Sequence, residues 1–409
     1  MAEKIQQLES LVIRSLRRFR DRYFPDKVVE ADLTVGDSGK EEQQYGSLDT
    51  LPENQNNCAP PFLPKVDVQF LIMTFLSPAD LCHLGATSRY WRAMVRDPLL
   101  WRYFLLRDMP YWPSIDHVTI PHPDLLDAPL ISEDESLDDR EEGNEGIKLK
   151  FDYMSEYLKG CPSSRQQWLP TRPAYEVVTS FFQSLVPSSE PRYAMFGPGM
   201  EQLDVSLVTR LMHAPDILPV SGTPYRQING IGSGISYMFN NQHKFNILTL
   251  YSTNRAERER ARVQQESISN KLFTFEGNDD SGDPVCVPAP QVQQVCQVVD
   301  GFIYVANAEL ERGGEKSEGV QIRAVLNCSR GSTSKPLLVL SCISREEPET
   351  VRTPSTRSMC RTPCVDMAKR LGLPHLPNPW MVQDTVAESL SGLLDGISWL
   401  LRCSGVKLY

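Results

Sequence analysis

The 409-residue chain contains no apolar run of about eighteen residues, so nothing in it reads as a membrane-spanning helix. Met1 to Phe24 does not read as a signal peptide either, because arginines interrupt it where an apolar stretch would be needed. Cysteine is present without a pattern. Ten residues are scattered from Cys58 to Cys403, far from the dense framework that staples small secreted domains, and they read as reduced and structural. The one close pair, Cys360 and Cys364, has no matching Cys/His pair nearby, so no zinc site is expected. An excess of positive charge is also lacking. The net charge is −10, of which Ser132 to Glu145, with eight acids against one arginine, supplies −7. Nothing forms the basic footprint that a phosphate backbone requires, which argues against direct nucleic-acid binding. The six histidines are dispersed and only His243 lies beside a predicted strand. No paired carboxylates stand out from the acidic run. The chain therefore shows no legible catalyst, and no metal or cofactor is expected.

What the sequence does have is one concentrated apolar stretch, Phe62 to Arg102. Val66, Val68, Phe70, Leu71, Ile72, Met73, Phe75 and Leu76 leave the first helix almost without a polar face, so it should be buried on more than one side. About forty residues bury too small a share of their own surface to be robust alone. The surplus apolar surface predicts a partner, within the chain or outside it. Ser77, Pro78 and Asp80 spell an N-cap, a first helical position and an acid near the positive end of the dipole. Gly85 is expected to stop that helix after Leu84. Asp97-Pro98 repeats the cap-then-proline signal before Leu100 and Trp101. Three or four short helices follow.

Leu63-Pro64, then Ile72, Phe75 and Leu76, Ser77-Pro78 with Asp80-Leu81, Tyr90-Trp91, and Asp97-Pro98 with Leu100-Trp101 resemble an F-box over the whole stretch. Ala86-Thr87-Ser88 departs from the usual Val-Cys step. The resemblance implies docking onto the Skp adaptor of cullin-RING ubiquitin ligases, through Leu63, Pro64, Ile72, Phe75, Leu76, Leu81, Leu84, Leu100 and Trp101.

Around this stretch the chain divides as follows. Residues 1–24 carry Ile5, Leu8, Val12, Leu16, Phe19 and Tyr23 at helical steps, with arginines over much of the rest. Three readings fit: a helix folded onto its own domain, a self-association helix that would make a homodimer, or a basic membrane-surface helix. Residues 25–61 read as a flexible linker, 62–112 as the F-box, and 113–174 as a linker region with the acidic run 132–145 and a short amphipathic helix from Phe151.

From residue 175 to 409 apolar strands alternate with helices. Arg192–Phe196 is a strand, and Gly197-Pro198-Gly199 leads into a helix through Leu211. Ile228–Phe239 pairs as a hairpin with Phe245–Tyr251 across Asn240-Asn241. A polar helix over 255–273 and a Gly/Asp/Pro loop come next. Then follow a helix at Val292–Val298, a strand at Gly301–Ala306, a weak helix over Glu309–Leu326, a strand at Leu337–Ile343, a helix at Cys364–Leu371 and a strand at Trp380–Val382. Thr385 and Glu388 suggest a capping box for the last helix. Continuous apolar strands between helices predict a mostly parallel sheet of about six strands, covered on both faces.

That count and order resemble the small-GTPase fold, so the expected architecture is multidomain: an all-α F-box followed by an α/β domain. The phosphate cradle of that fold needs Gly-x4-Gly-Lys-Ser/Thr. Counted from Gly197, those positions hold Gln202, Leu203 and Asp204. Tyr251–Asn254 stands where Asp-x-x-Gly would, and Ser341-Cys342-Ile343-Ser344 where Asn-Lys-x-Asp would. The scaffold is expected without the chemistry.

A binding role remains. The glycine-rich strand should lie at a sheet edge, where Gly230, Ile231, Gly232, Ser233, Gly234 and Ile235 could pair with a strand of another protein; a bulged switch-like loop is the alternative. An F-box joined to a GTPase-like domain resembles the substrate receptors of Skp–cullin–F-box ubiquitin ligases. The resemblance implies a non-catalytic subunit joined through the Skp adaptor to cullin and RING protein. It further implies a telomeric-repeat-binding factor and D-type cyclins as substrate classes, a crystallin-type small heat-shock protein as a partner, and ubiquitin-dependent degradation as the outcome. A cytoplasmic location is expected, with the nucleus as an additional compartment.

Overall fold

The computed structural model describes residues 6, 9–14, 16–17, 66–122, 152–165, 190–222, 232–251, 271–278, 284–309, 317–328, 334–346 and 361–408. The acidic run 132–145 and most of the polar segment 255–273 lie outside these residues. The chain forms two compact units: 1–108 with 121–159, and 109–120 with 160–409.

The first unit is built on four short helices, α1 (Val66–Phe75), α2 (Pro78–Thr87), α3 (Arg89–Met94) and α4 (Pro98–Asp108). Each break follows from a side chain that takes over backbone donors. Ser77 Oγ accepts from Asp80 N at 3.2 Å while the Asp80 carboxylate accepts from Ser77 N at 3.2 Å, a reciprocal capping box. The Ser77 hydrogen bonds hold the Asp80 carboxyl below its usual range. Ser88 accepts from Trp91 N to open α3, and Asp97 Oδ1 accepts from Leu99 N at 2.8 Å to open α4. Gly85 does not end a helix, contrary to the sequence expectation. It sits inside α2, where a Cβ would lie 2.7 Å from Val95 Cγ2, so its role is close packing rather than termination.

Along α4, Leu100, Trp101, Tyr103, Phe104 and Leu105 are all buried. Trp101 Nε1 donates to the Val95 carbonyl at 2.6 Å, and its ring meets Tyr157 of α5 (Tyr153–Gly160) at 5.4 Å. Tyr157 Oη in turn donates to Asp108 Oδ2 at 2.7 Å. Arg107 of α4 lies over the Phe104 ring and donates to the Thr74 carbonyl at the end of α1. Residues 9–14 are helical. Val12 and Leu16 have no exposure within the single chain, and Tyr103 Oη donates to Glu9 Oε1 at 3.3 Å. These two positions of the N-terminal stripe are therefore used inside the unit, which leaves them unavailable to a homodimer face.

The second unit is an eight-stranded sheet in the order β1-β10-β9-β8-β2-β5-β4-β3, with helices between its parallel strands. Its centre is β2 (Arg192–Phe196), β8 (Gly301–Asn307), β9 (Leu337–Ile343) and β10 (Trp380–Val386), all parallel to one another, in register at Met195 with Ile303, Phe302 with Leu337 and Val382 with Val339. Every residue of β8 and β9 is buried, as expected for strands covered on both faces. β5 (His243–Leu250) extends the parallel set beside β2, and β4 (Gly232–Phe239) folds back antiparallel on it. Asn240 and Asn241, at φ 49° and 56°, make that reversal in the left-handed region that asparagine tolerates. The order β10-β9-β8-β2-β5-β4, with one antiparallel strand, is the small-GTPase topology.

Two short strands lie outside that set. β3 (Val220–Gly222) flanks β4, and β1 (Ser114–Asp116) pairs antiparallel with β10, so residues 113–120 belong to the α/β unit and not to a linker. A separate hairpin, β6 (Phe273–Asn278) with β7 (Pro284–Pro288), occupies what the sequence suggested as a helix end and a loop. The helices are α6 (Pro162–Arg165), α7 (Gly199–Gln202), α8 (Leu207–Met212), α9 (Pro290–Val298), α10 (Glu318–Cys328), α11 (Cys364–Arg370) and α12 (Leu393–Cys403). Glu309 stands outside α10, in a lone bridge to Arg361. The Thr385/Glu388 capping box does not form: Thr385 is within β10, and Gly392, at φ 78°, precedes α12 without a side-chain cap. Leu393, Ile397, Leu400 and Leu401 place the apolar face of α12 on the sheet. Gly396 allows the approach, since a Cβ there would stand 3.0 Å from Leu338 Cδ1.

Candidate protein-docking site

Helix α1 carries two apolar stripes. Phe70 and Met73 point inward, 5% and 0% exposed, with Gln69 held beside them by the Tyr90 hydroxyl. Val68, Leu71, Ile72 and Phe75 fall at i, i+3, i+4 and i+7 on another face and stay exposed, at 44%, 55%, 44% and 82%. Four large apolar side chains on one helical face form a contiguous exposed patch of the kind that marks a protein contact, rather than scattered exceptions. Full burial of each is worth about 1.5–3 kcal/mol, with Phe75 having the most area to give.

Of the adaptor contacts predicted from sequence, Ile72 and Phe75 lie on this exposed stripe, and Leu76 and Leu84 are partly covered. Leu63 and Pro64 lie outside the described residues. Leu81, Leu100 and Trp101 are not surface residues: they are 1%, 0% and 0% exposed and form the interior on which the helices rest. They correct to supports, since a side chain already surrounded by its own unit cannot also touch a partner. Val68 and Leu71, which are not among the predicted contacts, share this exposed stripe, at a spacing readable in the sequence.

The loop after β2 is the place where the small-GTPase fold holds phosphate. Gly197, at φ 127°, lies against β8 so closely that a Cβ would stand 2.5 Å from the Val305 carbonyl oxygen, and one on Gly199 would be 2.9 Å from Val305 Cγ1. The loop donors are used locally. Met200 N donates to the Gly197 carbonyl, Glu201 N and Gln202 N both donate to that of Pro198, and Asp204 N donates to Ser344 Oγ at 3.1 Å. Leu203, at the lysine position, has no exposure, and Glu201 of the same loop is buried. Backbone N–H groups that donate inward cannot converge on an anion. The arrangement holds a strand to its neighbour and does not build a cradle.

The second predicted surface, on β4, is partly described. Gly230 and Ile231 lie outside the described residues, and of Gly232 and Ser233 only the backbone is described. β4 is next to the edge and not the edge itself, because β3 adds outside it. Yet β3 pairs only with Tyr237 and Ser236, so positions 232–235 have no partner strand on that side among the described residues. Of the cysteines, burial pushes the Cys342 and Cys296 thiols up to about 12, which keeps them protonated and unreactive. Cys360 lies outside the described residues, and no described cluster of His, Cys, Asp and Glu is placed to hold a metal.

An F-box-like family model matches residues 63–107, which span α1 to α4 but for the last residue of α4. "F-box only protein 4" of Bos taurus is 50% identical over 340 residues, 82% of each chain, and the proteins of that name from Mus musculus and Homo sapiens are 48% identical over the same extent. Among solved structures, the Arl6 BBS3 small GTPase of Trypanosoma brucei, bound to the nucleotide analogue GppNp, aligns at 8% identity with a TM-score of 0.26, covering 53% of this chain and 98% of that one. The assignment of the α/β unit to this topology rests on its own strand order.

Proposed function

The chain belongs to the F-box only protein 4 family, and from that premise we propose that it is a non-catalytic substrate-recognition subunit of a Skp–cullin–F-box ubiquitin ligase, tethered through the outer stripe of α1. The observation that carries this reading is the unspent face of Val68, Leu71, Ile72 and Phe75 on a helix whose other side is fully engaged. The Skp adaptor is the partner that buries it and brings cullin and RING protein with it. The α/β unit then holds a protein substrate so that its lysines face the ubiquitin-charged enzyme, and the contribution to rate is effective concentration. Substrate pairing at the outer side of β4, positions 230–235, is supported by the backbone of 232–235, which has no partner strand on that side among the described residues. The proposed substrate classes are a telomeric-repeat-binding factor and D-type cyclins, with proteasomal degradation as the outcome.

The test is direct binding of the full chain to purified Skp adaptor. Phe75→Asp should weaken it by about thirtyfold or more, the loss of one buried aromatic side chain, with an unchanged circular dichroism spectrum because Phe75 supports nothing inside the unit. In a reconstituted ligase the same variant should leave substrate unmodified. Wild-type affinity in Phe75→Asp and in Leu71→Asp would remove α1 as the tether.

A further inference from the structure

Helix α1 ends without the devices that usually close a helix. Leu76 and Ser77 follow Phe75 where a glycine would turn the chain, and the last turn carries no basic side chain. Its final carbonyls and the negative end of its dipole are left to water or to a group from elsewhere in the chain. Arg107, 33 residues further on in α4, supplies that group: its Nη1 donates to the Thr74 carbonyl at 2.8 Å. A guanidinium at this point caps a carbonyl and sets positive charge at the helix C-terminus. Thr74 immediately precedes Phe75, the most exposed residue of the docking stripe.

Arg107 is itself held. Its guanidinium lies over the Phe104 ring at 4.6 Å and the Tyr103 ring at 5.6 Å. Nε and Nη2 donate to the two carboxylate oxygens of Asp108, at 2.5 and 2.9 Å. An isolated ion pair with side chains 29% and 25% exposed would be worth little. Two parallel hydrogen bonds and a stacked ring, however, fix the plane of the guanidinium and therefore the direction of Nη1.

Asp108 is fixed in turn from α5. Its Oδ2 accepts from Tyr157 Oη at 2.7 Å, and Tyr157 is 3% exposed, packed against Trp101 at 5.4 Å and Phe104 at 6.3 Å. Asp108 and Tyr157 both lie beyond residues 63–107, where the F-box-like match ends. A continuous path of hydrogen bonds thus runs from the buried face of α5 to the backbone beside Phe75.

We propose that Tyr157, Asp108 and Arg107 form a positioning relay that fixes the last turn of α1 and the direction in which Phe75 is displayed, so that the docking unit extends through α5. The inference rests on α1 being the tether. Arg107 acts through the Thr74 carbonyl and is a positioning residue. Its contribution is preorganisation: a helix end already held in one geometry has less freedom to lose when the partner binds.

Hydrogen exchange on the full chain, followed in peptides covering residues 70–76, and adaptor affinity measured well below the unfolding transition read the relay together. Arg107→Met keeps an apolar stem over Phe104 and loses the donors. It should speed exchange in the last turn of α1 and weaken adaptor binding about tenfold, as loss of a charge-assisted hydrogen bond does. Tyr157→Phe removes one hydroxyl from a ring that stays packed. It should act in the same direction, by about threefold in affinity, and carries the test if Arg107→Met does not fold. In a Phe75→Ala background the Arg107→Met penalty should shrink to about twofold or less, because the side chain it positions is gone. A purely structural support would lower the urea midpoint of Arg107→Met and leave α1 exchange and affinity at wild-type values, which overturns the proposal. An Arg107→Met penalty of the same size with and without Phe75 overturns it too. Wild-type binding in Phe75→Asp removes the tether and the relay together, whereas weakened binding there with wild-type binding in both relay variants removes the relay alone.

Discussion

At the scale of single residues, Phe75 and Trp101 mark the difference between a contact and a support. Both are large aromatic positions of the same motif, and the sequence gives no local reason to separate them. The structure does: one is 82% exposed and the other 0%. Trp101→Ala should destabilise the helical unit by about 3–5 kcal/mol, since it empties a filled core site and strands the Val95 carbonyl that Nε1 serves. Phe75→Ala should shift stability by no more than about 0.5 kcal/mol while reducing adaptor affinity. Urea denaturation beside the binding assay separates the two, and a Trp101→Ala protein that unfolds like wild type would show that the motif's interior residues are not its scaffold. What was legible here is instructive. The i, i+3, i+4, i+7 spacing of the outer stripe could be read directly, whereas the inward residues Leu81 and Leu100 share the motif with surface positions and are sorted only by the packing of four helices together.

At the scale of elements, the six strands of the α/β core could be read because runs such as GFIYVAN and LLVLSCI have no polar alternative. The short additions could not. β1 is three residues long and has meaning only beside β10, and the β6–β7 hairpin has a glycine in one short strand and prolines at both ends of the other, which read equally well as loop. Thr385 and Glu388 carry a genuine cap signature, but β10 runs on through Val386 and takes Thr385 into the sheet. The β2–α7 loop is the reverse case, in which sequence and geometry agree. Its missing lysine was readable, and its N–H groups are turned to local carbonyls and to Ser344. Millimolar GTP with magnesium should therefore leave the melting temperature unchanged. An increase that scales with nucleotide concentration, as linkage requires of a ligand for the native state, would reopen the nucleotide-binding reading.

For the molecule as a whole, the α/β unit hides ionisable groups in neutral form and should be sensitive to alkali. Burial pushes the thiols of Cys296 and Cys342 up to about 12, that of Cys286 to about 11, and the Tyr237 phenol to about 12. Each folded pKa lies above its unfolded value, which is 9.0 for the thiols and 10.0 for the phenol. The sign follows. Below pH 9 both states hold their protons and the contribution is fully present; above it the unfolded chain ionises first, binds fewer protons than the native state, and draws the equilibrium towards unfolding. Urea midpoints should accordingly fall from pH 8.5 to 11 more steeply than surface lysines alone would produce. Cys296→Ala/Cys342→Ala should flatten that slope, even though two core truncations lower the midpoint at pH 8. An alkaline slope unchanged in the double variant would place the sensitivity elsewhere, and a midpoint that rises with pH would contradict the buried-thiol account outright.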